Sequence, residues 1–288
     1  MIWIVLAILT AFFSSLVDLF RKKSSKNVDE YIASFSLKLF GFIFLFPLLF
    51  FIDMPGLGKN FWMILVFTGL WNAMVLILYM RAIKHSDLSI TTPMVTFTPL
   101  FLLITSPLIV HEFPGMLGIL GIFLIVLGAY VLNIKERYKG FLAPFKALLK
   151  EKGPRLMLVV ALLLSIGANL DKIGIKNSSP IFWTISMNII TLILLFIVVY
   201  FKSRSNIKLI KTNYKILLPM GLFSALSLTF QMAAINLALV AYVISIKRAS
   251  AILTVLYGYF IFKEKGIKER LIGVIIMIVG VLVITLFS

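Results

Sequence analysis

The chain has 288 residues, 61% of them hydrophobic, with a mean hydropathy of +1.08, a formal net charge of +17 and no cysteine. That apolarity excludes a soluble globular domain, and zero cysteines exclude thiolate metal sites, thiol catalysis and disulfides. A transmembrane β-barrel would show alternating segments of about ten residues, which are absent.

Long apolar runs recur along the whole chain and predict a polytopic, all-α membrane protein. Ten spans are expected, at residues 2–20, 31–52, 61–81, 89–110, 114–134, 155–173, 180–201, 214–238, 241–262 and 268–287. Each is long enough for about 30 Å of hydrocarbon at 1.5 Å per residue, with some tilt. The first begins at Met1 with neither a basic n-region nor a small-residue cleavage site, so it reads as a helix and not as a signal peptide. It ends near Asp18. The second carries Lys38, and the third Trp71, Asn72 and Tyr79. Pro93, Pro99 and Pro107 are expected to interrupt the fourth, freeing carbonyls that protein or cavity water must satisfy; Thr91, Thr92, Thr96 and Thr98 accompany them.

Residues 135–154 form a basic linker with Gly140, Pro144 and Gly153, dividing the chain into halves 1–134 and 155–288. Its middle, Phe141 to Lys150, is expected to lie as an amphipathic helix on the membrane surface. In the second half, Asp171 closes the sixth span, Asn188 lies in the seventh, and Gln231 and Asn236 in the eighth. The ninth holds Tyr242 and an adjacent cation pair, Lys247 and Arg248. Ser245, Ala249, Ser250 and Thr254 around the pair offer a small, hydroxyl-rich surface.

Of the 28 Lys and Arg residues, 22 fall in odd-numbered connections and three (Lys59, Lys172 and Lys176) in even ones. This is the positive-inside bias. It predicts cytoplasmic odd connections, both termini outside, and a basic excess that marks topology and not a nucleic-acid site.

The two halves repeat. Shifting the chain by 152 residues lays Met80 on Met232, Ala82 on Ala234, Ile109 on Ile261, Glu112 on Glu264, Gly121 on Gly273 and Gly128 on Gly280. Asp18 meets Asp171 at nearly the same offset. Each unit has five expected spans, an odd number, so the second enters the membrane from the opposite side. Such an inverted repeat lets a protein present one site to either face. The homologous loops agree: Arg21, Lys22 and Lys23 correspond to the sparse 172–180 connection, and the cation-free 111–114 loop to Lys263, Glu264 and Lys265. A glycine every seven residues puts Gly121 with Gly128, and Gly273 with Gly280, on single helix faces suited to close helix contact.

With this repeat the chain resembles the drug/metabolite transporter superfamily, in its ten-helix form of two inverted EamA-type repeats. The most specific elements are the loops with Glu112 and Glu264 and the glycine-bearing helices that follow them. The resemblance implies a central cavity lined by helices one to four and six to nine, with five and ten as peripheral supports. Within the superfamily, plastid phosphate translocators hold phosphate with a Lys-Arg pair on the ninth helix, and Lys247-Arg248 looks like that pair. Those proteins also use a fourth-helix lysine, whereas residues 89–110 hold no cation here.

The cation pair is the principal site candidate. Each charge costs roughly 2.5–3.5 kcal/mol near the centre of a membrane helix, and adjacent residues point about 100° apart, so snorkelling does not serve both. Val95-Thr96 stands at the equivalent place in the first half, so the charge is not part of the scaffold. Lys38, Asn72, Tyr79, Thr96, Asn188, Gln231 and Tyr242 complete the expected substrate-binding set, each with packing or interhelical hydrogen bonding as its plainer role. Asp18 and Asp171 are proton-coupling candidates; pairing with Arg21 and Lys172 is their plainer reading. His85 and His111 fall in loops, and no HExxH, GxSxG or P-loop pattern occurs. No enzyme, cofactor or metal is expected.

The sequence points to a secondary transporter of a small anionic metabolite, an organic phosphate or carboxylate, working as an antiporter in the cell membrane. The alternatives are a proton-coupled exporter of amino acids or other small metabolites, and a non-transporting membrane or lipid-binding factor. Partners are the small-molecule substrate and membrane lipids, with a monomer or homodimer as the assembly.

Overall fold

The computed structural model describes residues 1–25, 27–85, 94–133, 152–253 and 267–287, and these hold helices and no strand. In the first half they are α1 (Ile2–Ser24), α2 (Glu30–Leu45, continued by a 3-10 segment Phe46–Phe51), α3 (Phe61–His85), α4 (Thr98–Val110) and α5 (Met116–Asn133). The second half gives α6 (Lys152–Lys176), α7 (Pro180–Lys202), α8 (Tyr214–Leu237), α9 (Val240–Arg248) and α10 (Ile267–Phe287). Six of them (α1, α2 with its 3-10 extension, α3, α6, α7 and α8) are long and apolar enough to span a membrane, and Thr98–Val110, Met116–Val131 and Ile272–Phe287 are shorter apolar helices. The expected fourth and ninth spans run partly outside the described residues, as do Thr91, Thr92, Pro93, Thr254, Glu264 and the 141–150 segment.

Three expectations need correction. Residues 152–154, expected in the linker, are already the first residues of α6. His85 is the last residue of α3 and not a loop residue. Pro107 does not interrupt the fourth helix but lies inside α4, while Pro99 sits at its start, where a missing N–H costs nothing.

The helices form two compact units, Met1–Met80 with Leu170–Leu237, and Arg81–Asn169 with Ala238–Ser288. The boundaries fall within α3 and α6 and just after α8. In the first unit α8 packs along α1 and α2, and α2 along α7. Asp29 fixes where α2 begins. One of its oxygens accepts from the Tyr31 and Ile32 N–H groups at 2.9 and 3.0 Å; the other accepts from Ser203 at 2.6 Å and Asn206 at 2.9 Å, beyond α7. This one carboxylate both caps a helix and ties down a loop.

The unit is internally two-fold. Gly69 of α3 lies where a Cβ would meet Ile190 of α7 at 2.7 Å, and Gly221 of α8 has Phe40 of α2 in the same relation. The repeat shift of 152 carries Gly69 onto Gly221. Aligning the N-caps Asp29 and Ser179 carries Phe40 onto Ile190. Helices α2 and α7 share their pattern of buried and exposed positions over this alignment. Ser34 and Thr184, which correspond, both donate 2.7 Å hydrogen bonds to the carbonyl four residues earlier, of Glu30 and Pro180.

In the second unit α5 packs along α10, and α9 contacts α4 and α5. The glycine faces meet crosswise, Gly121 against Gly280 and Gly128 against Gly273. In a lipid solvent apolar burial does not drive helices together, so this close approach supplies packing that larger residues would prevent.

Candidate functional site

The eleven candidate site residues divide between the units. Thr96, Tyr242, Lys247 and Arg248 belong to the second, and Asp18, Lys38, Asn72, Tyr79, Asp171, Asn188 and Gln231 to the first.

Lys247 and Arg248 do not sit in the middle of an unbroken helix. They are the last turn of α9; the Ala249 N–H closes a tight turn onto the Ile246 carbonyl at 2.9 Å, and helix resumes at Ser250 after this one-residue interruption. No glycine or proline announces this end. It corresponds by the repeat to a second break, the turn at Thr96–Phe97 that precedes α4. The breaks meet through Arg248, whose Nη2 donates to Thr98 Oγ1 at 2.9 Å while that hydroxyl donates to the Val95 carbonyl at 2.7 Å. Thr98 thus satisfies a carbonyl freed by one break and holds the cation of the other.

A helix C-terminus is the favourable end for a cation, by about 0.3–1 kcal/mol and up to about 2 in partly buried sites. Two charges at roughly 2.5–3.5 kcal/mol each exceed that. Helix polarity alone therefore does not explain the pair. Ser245 is not part of a free hydroxyl surface, since its Oγ donates to the Ala241 carbonyl at 2.6 Å. Tyr242 is 5% exposed and packs over Gly118, its hydroxyl accepting from the Gly115 N–H at 3.2 Å.

Glu112 explains its place in the repeat. Its Oε2 accepts from the Val240 N–H at 2.8 Å, capping the start of α9 from 128 residues away. The carboxylate meets the positive end of the helix whose other end carries the cations. Glu112→Ala should cost about 1 kcal/mol, the usual value of a lost cap, and Glu112→Gln less; thermal unfolding of the two variants measures the difference.

Sequence reasoning missed a buried knot nearby. Ser106 donates to Asn169 Oδ1 at 2.8 Å, and Asn169 Nδ2 donates to Thr105 Oγ1 and to the Ser165 carbonyl, each at 3.1 Å. Asn169, Ser106 and Ser165 are fully buried. Each is an ordinary polar residue in an apolar run, and only the approach of α4 to α6 gives them partners.

In the first unit, Lys38 is 6% exposed, so it is buried in the bundle and does not reach water. Its electrostatic neighbours are Asp171 and Arg21. Asp171, 8% exposed, accepts from the Trp183 indole at 3.0 Å, while Lys172 donates to the Ile235 carbonyl. Each of these two residues thus has a partner far along the chain, beyond the neighbour expected from the sequence. Asp18 does pair as expected, 3.4 Å from Arg21.

The alignment of α2 with α7 sets Lys38 opposite Asn188 in the repeat and Gly41 opposite Thr191. Asn188 packs on Gly41, and the side-chain oxygens of Asn188 and Thr191 are buried with no hydrogen bond among the described residues. Gln231 is buried. Asn72 instead donates to the carbonyl of Thr68 in its own helix, at 3.2 Å. Tyr79, the repeat counterpart of Gln231, has the Arg21 guanidinium 5.1 Å from its ring centre.

The sequence profile described as the EamA-like transporter family matches residues 1–134 and again 152–286. The chain belongs to the EamA-like transporter family. It is therefore a multi-pass membrane protein of the drug/metabolite transporter superfamily, built on two copies of the EamA unit. Its fold is similar to that of a solved structure titled only "Crystal structure of protein", with TM-score 0.76 at 12% identity over 99% of this chain and 97% of that one. No curated protein matches the sequence significantly.

Proposed function

We propose that this EamA-like protein is a secondary transporter of a small anionic metabolite, an organic phosphate or carboxylate, which it exchanges across the cell membrane by alternating access. One observation carries the reading: Lys247 and Arg248 lie at a helix end within the ninth span, with Arg248 held by Thr98 at the matching break of the fourth. Broken helices at membrane depth are tolerated where they line a cavity, and their ends are used for ion binding in transporters. A bound anion neutralises the pair during the conformational change. Without the anion the same change loses that neutralisation, at a cost of several kcal/mol.

Exchange should therefore outrun net flux. Proteoliposomes loaded with the transported anion should take up label much faster than empty ones; equal rates would reject the mechanism. The Lys and Arg bias supports both termini outside and the basic connections in the cytoplasm.

A second reading rests on Asp171, a buried carboxylate with the buried Lys38 as electrostatic neighbour. Intramembrane carboxylates serve as proton carriers, which fits a proton-coupled exporter of amino acids or similar metabolites. Flux that follows an imposed pH gradient without counter-substrate selects this reading.

A further inference from the structure

The internal two-fold of the first unit is broken where the end of α1 meets the start of α2. With Asp18 aligned on Asp171, Arg21 corresponds to Gly174; with the N-caps of α2 and α7 aligned, Ala33 corresponds to Trp183. In the second half the space between these positions is filled. The Trp183 indole is fully buried, lies where a Cβ on Gly174 would overlap it, and is anchored to Asp171 Oδ1 at 3.0 Å.

In the first half an alanine stands where the tryptophan would be, and a cleft remains. It is lined by Arg21, Ser34 and Tyr79 together with apolar side chains that include Ala33, Leu37 and Met80. Arg21 is 22% exposed, and among the described residues its hydrogen bonding amounts to one long contact, 3.4 Å to Asp18 Oδ1. A guanidinium carries five N–H donors, and 3.4 Å lies beyond the usual 2.7–3.2 Å range. Most of the donor capacity is unspent. The Tyr79 ring flanks the same guanidinium, 5.1 Å from ring centre to Cζ, and both residues line the cleft.

We propose that this cleft is a binding site for an organic anion with a short apolar body. Arg21 takes the carboxylate or phosphate, and Ala33, Leu37 and Met80 receive the apolar part. The volume of the cleft, about 10 Å³, is close to what one water needs. The anionic group takes that space, and flexible Met80 re-packs to admit the rest. The ligand is a free metabolite or the headgroup of an anionic lipid, which present the same chemistry. The site stands independently of transport; its use as an entry port for the transported anion rests on the transporter reading.

Copying the second half tests the proposal without leaving a hole. Arg21→Gly with Ala33→Trp rebuilds at this end the packing that Gly174 and Trp183 already make at the other. The measurement is stabilisation of the purified full chain by hexanoate and by inorganic phosphate, and of the chain in nanodiscs with or without phosphatidylglycerol. All arms use the Lys247→Ala/Arg248→Ala background, so the ninth-helix pair does not contribute. Hexanoate should bind in that background, and at least tenfold more weakly once Arg21→Gln or the copied plug is added. A response confined to phosphatidylglycerol nanodiscs and lost with Arg21→Gln identifies a lipid headgroup at the same site. Binding that survives the plug, or no response to any probe, overturns the proposal. Failure of counter-exchange in the parent protein, with hexanoate binding intact in the Lys247→Ala/Arg248→Ala background, would instead reject the transporter reading and leave this site standing.

Discussion

Replacing Lys247 and Arg248 together by alanine should abolish counter-exchange, by about 100-fold or more, and leave the fold intact. Truncating one partner of a buried, hydrogen-bonded charge pair costs about 2–5 kcal/mol of binding, and each 1.4 kcal/mol is tenfold. The loss lands on the occluded complex, where no water compensates the anion's charge. Of the single variants, Arg248→Ala should be the more severe, because it also strips Thr98 Oγ1 of its 2.9 Å partner and loosens the meeting of the two helix breaks. Arg248→Lys should rescue charge without geometry, since a point-like ammonium lacks the planar fork. Stability is the control. The double variant also removes the Arg248 hydrogen bond to Thr98, so its thermal stability should fall by no more than the roughly 0.5–1.5 kcal/mol such a bond is worth. Unchanged exchange in a well-folded double variant would remove the pair from the site altogether.

Features carried by spacing along one helix were legible in the sequence. Gly121 with Gly128, and Gly273 with Gly280, sit seven apart, and the structure brings those faces together crosswise. Glu112 was visible as a repeated residue, but its role was not, because the Val240 N–H it caps is 128 residues distant. Lys247 and Arg248 stood out by charge. That α9 ends on them did not, since no glycine or proline marks the end and Ala249 is an ordinary helix former. The correspondence of Lys38 with Asn188, and of Ala33 with Trp183, was hidden by a loop. A register near 152 suits α3 with α8, whereas the α1–α2 connection is three residues longer than its counterpart, so α2 and α7 align at 150. Trp183 and Asp171 are twelve residues apart and became partners only when α6 and α7 packed.

The largest effect on stability is expected at Gly128. A Cβ there would sit 2.6 Å from the Gly273 carbonyl oxygen and 2.7 Å from the Met277 nitrogen, both backbone atoms of α10. Side chains yield to an inserted group, but a helix backbone moves only as a unit. Gly128→Val must therefore push α5 and α10 apart along their length, and with them the packing that replaces the hydrophobic effect in lipid. Overpacking usually costs about 1–3 kcal/mol; with backbone in the way, about 3 kcal/mol or more is expected here. At about 2–4 °C per kcal/mol for a domain of this order, the thermal midpoint should fall by roughly 6–12 °C. Gly121→Val should behave alike, because its Cβ would lie 2.9 Å from the Gly280 oxygen. Gly56→Ala is the control, since nothing lies within 4 Å of a Cβ there and its midpoint should not move. A Gly128→Val protein as stable as its parent would mean that the α5–α10 seam contributes little to holding the second unit together.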